Sequence, residues 1–248
     1  MSKGGGLGDN FYLDAYDLSG DVGSLGEISG GPELWETTGI NKSALERIGL
    51  QRDGRVEWSS FFNKAPGAAH LALAGLPLTD RVASYFRGTA LGSAAASLVA
   101  LQGNYDGERG DDGSLTLSVE ALANSYGLQW GVQLTPGRRT DTTATNGTSV
   151  DLGTGSIAFG AQAFLHVFAF TGTSAVVKLQ ESSDNGAGDA WADVTGGAFT
   201  TVTAVGAQRI ATSGTQTVER YLRAVTTGTF TNLQFAVNVI RNETAVSF

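Results

Sequence analysis

A mainly β fold is expected from three features of this sequence. Glycine is abundant, at 35 of 248 residues, and is scattered among Thr, Ser and Val rather than repeated at a fixed period. Proline is scarce, at 4, so the glycines read as many short turns between many short strands. Finally, stretches such as "LQFAVNVI" alternate: Leu233, Phe235, Val237 and Val239 face one way, Gln234 and Asn238 the other, the period of a half-buried strand. The expected architecture is a β-sandwich or barrel with one flanking short helix, followed by a second, immunoglobulin-like β-sandwich.

In chain order, residues 1–10 are Gly-rich and read as a flexible arm. Phe11, Leu13 and Ala15 alternate with Tyr12, Asp14 and Tyr16, which predicts a strand, a turn and a second strand over "FYLDAYDLSGDVGSLGEISG". Glu33 to Leu50 is mixed: Thr37 and Thr38 suit extended chain, and Asn41 could cap a short helix through "KSALERIG" that Gly49 stops. The turn at Arg52-Asp53-Gly54-Arg55 leads into a strand with Val56, Trp58 and Ser60 on one face. "APGAAHLALAGLP", Ala65 to Pro77, is the strongest helix candidate, opened by Pro66 and ended by Gly75 and Pro77. A long hairpin is expected from Ala95 to Ala123, its arms flanking the turn-rich "DGERGDDG". The polar stretch Thr135 to Ser149 reads as a linker. Five further strand-like segments follow, to Ile240. The expected division is therefore a domain over residues 11–137, a linker at 138–149 and a C-terminal β-sandwich over 150–248.

Composition excludes several functions. The net charge is 16 − 24 = −8, the wrong sign for gripping nucleic acid through its phosphates. The acids are uneven: Asp9, Asp14, Asp17, Asp21, Glu27, Glu33 and Glu36 run without an intervening Lys or Arg, which reads either as a solvated surface or as one that must not adhere to phosphate. With no cysteine, the chain has neither disulfides nor a thiolate metal site. No apolar run reaches the length of a signal peptide core or of the roughly 18 residues of a membrane span, so a soluble protein made in the cytoplasm and free of membrane is expected.

No catalytic constellation stands out. His70 lies in the Ala/Leu helix and His166 in an apolar strand, both positions of packed structural histidines. The lipase-type elbow, the zinc-protease helix and the Walker loop are absent, and "GGGLG" follows no strand. Two acidic loops, Asp106–Asp112 and Asp184–Asp189, carry oxygen ligands suited to calcium but lack EF-hand spacing, and turn chemistry accounts for both equally. Trp35, Trp58, Trp130 and Trp191 could build a sugar platform or pack a core; Trp191, between two loops, is the candidate for carbohydrate contact. No cofactor and no metal is expected.

One segment, "ETTGINKSALERIGLQRDGRVEWSSFFN", holds no chemistry yet is specific in its order: the pair Thr37-Thr38, the charged Glu46-Arg47, then Arg52-Asp53-Gly54 into a strand ending at Phe61-Phe62. Coming after acidic strands, this order resembles the major tail tube protein of long-tailed bacteriophages with flexible tails. The C-terminal "GTSAVVKLQESSDN…WADVTGGAF…VERYLRAVTTGTF" is similar to an immunoglobulin-like module of phage structural proteins. The resemblance implies a non-enzymatic virion protein of the tail, assembled in the host bacterial cytoplasm. It implies homo-hexameric rings that stack into a tube, with the tape measure, tail tip and terminator proteins as further partners. Phage DNA would pass through the bore without specific binding. By this resemblance residues 33–54 form a stacking loop between rings, with Glu36, Thr37, Thr38, Lys42, Glu46, Arg47, Arg52 and Asp53 as its contact residues, little structured until it meets the next ring. Asp14, Asp17 and Asp21 are the expected lumen acids. A capsid decoration or minor tail protein, and a carbohydrate-binding attachment module, are the alternative readings.

Overall fold

The computed structural model describes residues 5–153 and 155–245; residues 1–4 of the expected N-terminal arm lie outside the described residues. The described residues form sixteen strands and one short helix. In order these are β1 (Asn10–Leu13), β2 (Tyr16–Asp17), β3 (Val22–Glu36), β4 (Arg47–Phe61), helix α1 (Ala69–Leu73), β5 (Arg81–Phe86), β6 (Ala94–Gln102), β7 (Asp106–Arg109) and β8 (Leu115–Ala123). There follow β9 (Gln129–Gln133), β10 (Arg139–Asp141), β11 (Thr145–Asn146), β12 (Val150–Asp151), β13 (Ala161–Ser182), β14 (Ala192–Ala198), β15 (Gly206–Ala211) and β16 (Tyr221–Arg241). The expected mainly β class is what is found, and the registered strand pairs are antiparallel.

Strand β6 is the branch point of the sheet. Its start pairs with β9, its end with β8, and its other edge with β5. From β8 the sheet continues through β4 to β3, from β5 through β1 to β2, and from β9 through β16 to β13 and β14. Strands β13 and β16 pair along nearly their whole length, Ala161 with Arg241 at one end and Ser182 with Tyr221 at the other. Three register shifts between Val167 and Ser174 bend the pair at its middle. The stretch read as a linker runs beside β16 as β10 and β11, held where Arg139 grips Asp141 at 2.7 and 2.8 Å.

The β1–β5–β6 layer is covered on both faces, which explains its almost unbroken apolar sequence. On one face Phe11, Leu13, Ala83 and Leu98 pack with Trp58, Val119 and Leu73. On the other, Tyr12, Phe86 and Ala95 meet Ala236 and Phe168, while Val82 and Val99 meet Phe164 and Ile240. The far face of β13 and β16 closes a third apolar layer around Leu165, Val177, Leu222, Phe235 and Val237. The alternation read in "LQFAVNVI" is therefore real, but both faces are buried: Asn238 is as enclosed as Val237.

A hydrogen-bond chain crosses the middle layer. His166 places Nδ1 2.8 Å from the Asp14 carbonyl oxygen and Nε2 2.7 Å from the Ser84 hydroxyl. Ser84 meets Ser97 at 2.6 Å, and Ser97 accepts from the Asn238 amide at 2.8 Å. Because a carbonyl only accepts, Nδ1 must carry the proton; neutral Nε2 then accepts from Ser84, Ser84 from Ser97, and Ser97 from Asn238. Every direction in the chain is fixed by that one carbonyl.

Three local expectations need correction. The helix covers five residues, Ala69–Leu73, rather than Ala65 to Pro77. Five residues cannot hold themselves, and side chains from elsewhere satisfy the ends: Asp21 accepts from the Ala69 N–H, Arg81 donates to the Ala72 carbonyl and Gln102 to that of Leu73. The segment "KSALERIG" is not helical, because its end, Arg47–Gly49, pairs with Leu34–Glu36 as the first part of β4. The expected hairpin from Ala95 is split: β6 meets β8 only over Ala100–Gln102, and Asp106–Arg109, expected as turn, is β7 against the start of β8.

The buried chain predicts an acid sensitivity. Burial pushes the His166 pKa down from 6.5 to about 4, against the opposing pull of the Asp14 carbonyl and the Asp14 and Asp17 carboxylates. A histidine whose folded pKa is depressed stabilises the fold above its unfolded pKa, and that contribution is lost as pH falls from about 6.5 towards about 4. The depression corresponds to about 3 kcal/mol. Urea unfolding at pH 7.0 and 4.5 should show a steeper loss in the wild type than in His166→Gln; equal losses in the two proteins would contradict the assignment.

Candidate functional site, a projecting hairpin

Strands β3 and β4 are each 15 residues long, far beyond the usual five or six. Their lower part belongs to the packed sheet beside β8, where Val56, Trp58 and Ser60 are buried. The upper part leaves it. The boundary is the cross-strand pair Gly30 and Gly54, on which Leu128 lies. A Cβ at Gly54 would come within 2.5 Å of the Leu128 amide nitrogen, and one at Gly30 within 2.7 Å of its Cβ. Only glycine admits this close crossing, which clamps the root of the hairpin.

Beyond the clamp, residues 31–53 form an arm. Leu34 pairs with Gly49, Trp35 with Ile48 and Glu36 with Arg47. The double threonine closes the tip: the Thr37 N–H reaches the Glu46 carbonyl at 2.8 Å, and the Thr38 hydroxyl accepts the Glu46 N–H at 2.9 Å. Lys42 bridges to Glu46 at 3.0 Å, both side chains about half exposed, so this pair adds at most a few tenths of a kcal/mol. The expected contact residues Glu36, Thr37, Thr38, Lys42, Glu46, Arg47, Arg52 and Asp53 thus all fall on this one arm. The arm has β structure of its own, where a loop with little structure was expected.

What sequence reading missed is how apolar the arm is. Trp35 is 59% exposed and Ile40 fully so, with Leu34, Leu45, Ile48 and Leu50 also open to solvent. The signal was present: these residues fit neither a helical nor a strict two-residue period. Six large apolar side chains on one thin element exceed the scattered exposure of an ordinary surface.

Asp14, Asp17 and Asp21 cluster at the β1–β2 corner, and each is engaged within the chain. Asp14 meets Arg81 at 2.7 Å and accepts the Val82 N–H. Asp17 accepts from Ser19 and, at 3.3 Å, from Arg138. Asp21 accepts from Asn63 and from the first N–H of α1. A different acidic row, Glu27, Glu57 and Glu120, crosses β3, β4 and β8 around Arg55.

Among the described residues strand β3 pairs with β4 alone, so its second edge has no strand partner there from Val22 upward. Between that edge and β1 lies a groove of about 520 Å³ lined by Phe11, Ser19, Val22, Leu25, Ile28 and Tyr85. Among the described residues no cluster of three or more His, Cys, Asp or Glu could hold a metal. The Asp184 loop turns its carboxylate onto its own backbone, accepting from Ala187, Gly188 and Asp189. Trp191 is half-buried, with the Arg223 guanidinium 4.3 Å above its ring. His70 bonds the Tyr105 hydroxyl at 3.1 Å.

No family model matches this chain, and no curated protein does. Among solved structures it is similar to a chain in the tail of an empty GTA particle of C6 symmetry, with a TM-score of 0.38 and 11% identity over 51% of this chain and 97% of that one. It is also similar to the SPP1 Dit (gp 19.1) protein, described as a hub adsorption apparatus of phages that infect Gram-positive hosts, at TM-score 0.33 and 12% identity over 93% and 98%. A chain of the phage p2 baseplate in its activated conformation matches at 0.34 and 9% over 95% and 99%. These are distant likenesses.

The glycine clamp yields a direct test. Gly54→Ala forces a methyl group against the Leu128 backbone and should cost about 1–3 kcal/mol, the range of an overpacked site. Chemical denaturation of the purified variant measures it; unchanged stability would mean that Leu128 does not sit on the hairpin root.

Proposed function

We propose that this chain is a structural subunit of a bacteriophage tail that polymerises into stacked, hexameric rings, forming a tube through which DNA passes. The observation that carries the reading is the arm. An element with six large apolar side chains in water is a liability to a protein that remains alone, and it is used when a partner covers it. The open edge of β3 supports the same reading, since a free row of backbone donors and acceptors is a template for another copy. Its three register shifts and Pro32 bend that edge, which restricts it to a partner of matching shape. Rings closed edge to edge and joined by arms use both features.

The negative charge fits a conduit. Acids repeated on each subunit repel phosphate over about a Debye length, ~8 Å at physiological salt, so a passing polymer is kept from the wall. We assign Asp14, Asp17 and Asp21 to that wall. Asp14 and Asp21 hold backbone N–H groups of distant elements, so Asp17→Asn, which keeps an oxygen for Ser19 and loses only the 3.3 Å ion pair to Arg138, is the variant that best separates charge from structure; it should assemble normally and slow genome release.

The main test is deletion of residues 36–42. The subunit should stay soluble and folded by circular dichroism, while negative-stain images of the concentrated protein show single rings or monomers in place of tubes. Tubes of unchanged length from the deleted protein would overturn the arm's role. Intact protein that forms rings but never stacks would instead be a component present once per tail.

A further inference from the structure

We infer that the opposite end of the same sheet is the receiving site for the arm of a second copy, an inference that rests on the assembly reading above. Strand β4 begins in the arm at Arg47 and ends at Phe61, roughly 45 Å away at about 3.3 Å per residue. At that far end a second set of large apolar side chains is uncovered: Phe61, Phe62 and Leu115, with Leu71 on α1 beside them. Phe62 adjoins Leu115 and α1, whereas Phe61, one residue earlier, turns to the other face of the strand and lies over Gly23. The Phe62 N–H bonds the Leu115 carbonyl, and the Phe62 ring lies 4.7 Å from that of His70, the neighbour of Leu71.

Two apolar surfaces at opposite ends of one strand direction define a heterologous contact. Repeated by translation along that direction, it leaves one end always open and grows without limit, whereas a contact of like with like would stop at two copies. Charge fixes the orientation. On the arm, the β3 side carries Glu33 and Glu36; the β4 side carries Arg47 and Arg52, which form no ion pair among the described residues, against Asp53, with Glu46 neutralised by Lys42. At the base, the strand order is β3, β4, β8, β7, so the β7–β8 turn lies on the β4 side. That turn holds Asp106, Glu108, Asp111 and Asp112 against the single Arg109. A copy displaced along the strands therefore sets its basic arm edge over the acidic flank of the base, while the apolar tip meets Phe62 and Leu115.

The chain has no cysteine, so introduced pairs report this contact cleanly. Ile40→Cys and Lys64→Cys place thiols at the arm tip and at the base. Under mild oxidation of assembled protein, the double variant should give a ladder of covalent oligomers on a non-reducing gel. An equal mixture of the two single variants should give a mixed dimer, with each single variant alone giving at most a trace. Phe62→Asp, folded by circular dichroism, should reduce sedimentable polymer at least tenfold. Tubes that form normally but give no ladder would overturn the base as the receiver and leave the assembly reading standing. Strong dimers of Ile40→Cys alone would overturn it in favour of tip-to-tip contact. Monomers that never polymerise in the wild type would overturn both.

Discussion

The rest of the structure depends on the double burial of the β1–β5–β6 layer. A sheet packed on both faces gains apolar contact twice, but every polar atom it encloses must find a partner inside. Ser84, Ser97, His166 and the Asn238 amide nitrogen meet that requirement as one directed chain, started by the Asp14 carbonyl, while the Asn238 side-chain oxygen is left without a partner among the described residues. The chain joins the β1–β2 corner to β13 and β16, more than 150 residues later in sequence. The wall that carries the arm and the long β13–β16 pair are thereby registered to each other by geometry that greasy contact alone would leave slack.

Asp14 shows how much one residue is asked to do. Its backbone adopts a positive φ of 50°, which Asp tolerates better than most side chains. Its carboxylate holds Arg81 and the Val82 N–H, and its carbonyl orients His166. Arg81 in turn passes a bond to the end of α1. The short helix, the corner and the middle layer are consequently one connected polar unit set among apolar cores.

The sequence was most legible where one period ran alone. The alternation of Val56, Trp58 and Ser60 reads as a strand with one buried face, and it is one. So does Leu233 to Val239, although nothing local shows that the polar face of that strand is buried as well; that depends on β5 and β6 arriving from far away. The arm was legible as a special segment, but not as a hairpin. Its Lys, Ser, Ala, Leu and Glu favour helix, and only the ladder with β3 decides against it. The five-residue helix was overestimated for the converse reason, since Ala and Leu promise more turns than the backbone partners at its ends allow. The acids of the β1–β2 corner were visible as charge; that each would be occupied by a partner was not, because Arg81, Arg138 and Asn63 lie far along the chain.

One strand, β4, runs without interruption from the arm into the wall, and antiparallel bonds stand at right angles to it. A pull on the arm along its axis would therefore load the rungs to β3 and β8 sideways and all together, rather than opening them one at a time as a zipper opens. The glycine crossing under Leu128 acts as the fulcrum for bending, while tension bypasses it through the backbone. A filament joined in this way would be pliant when flexed and stiff when stretched.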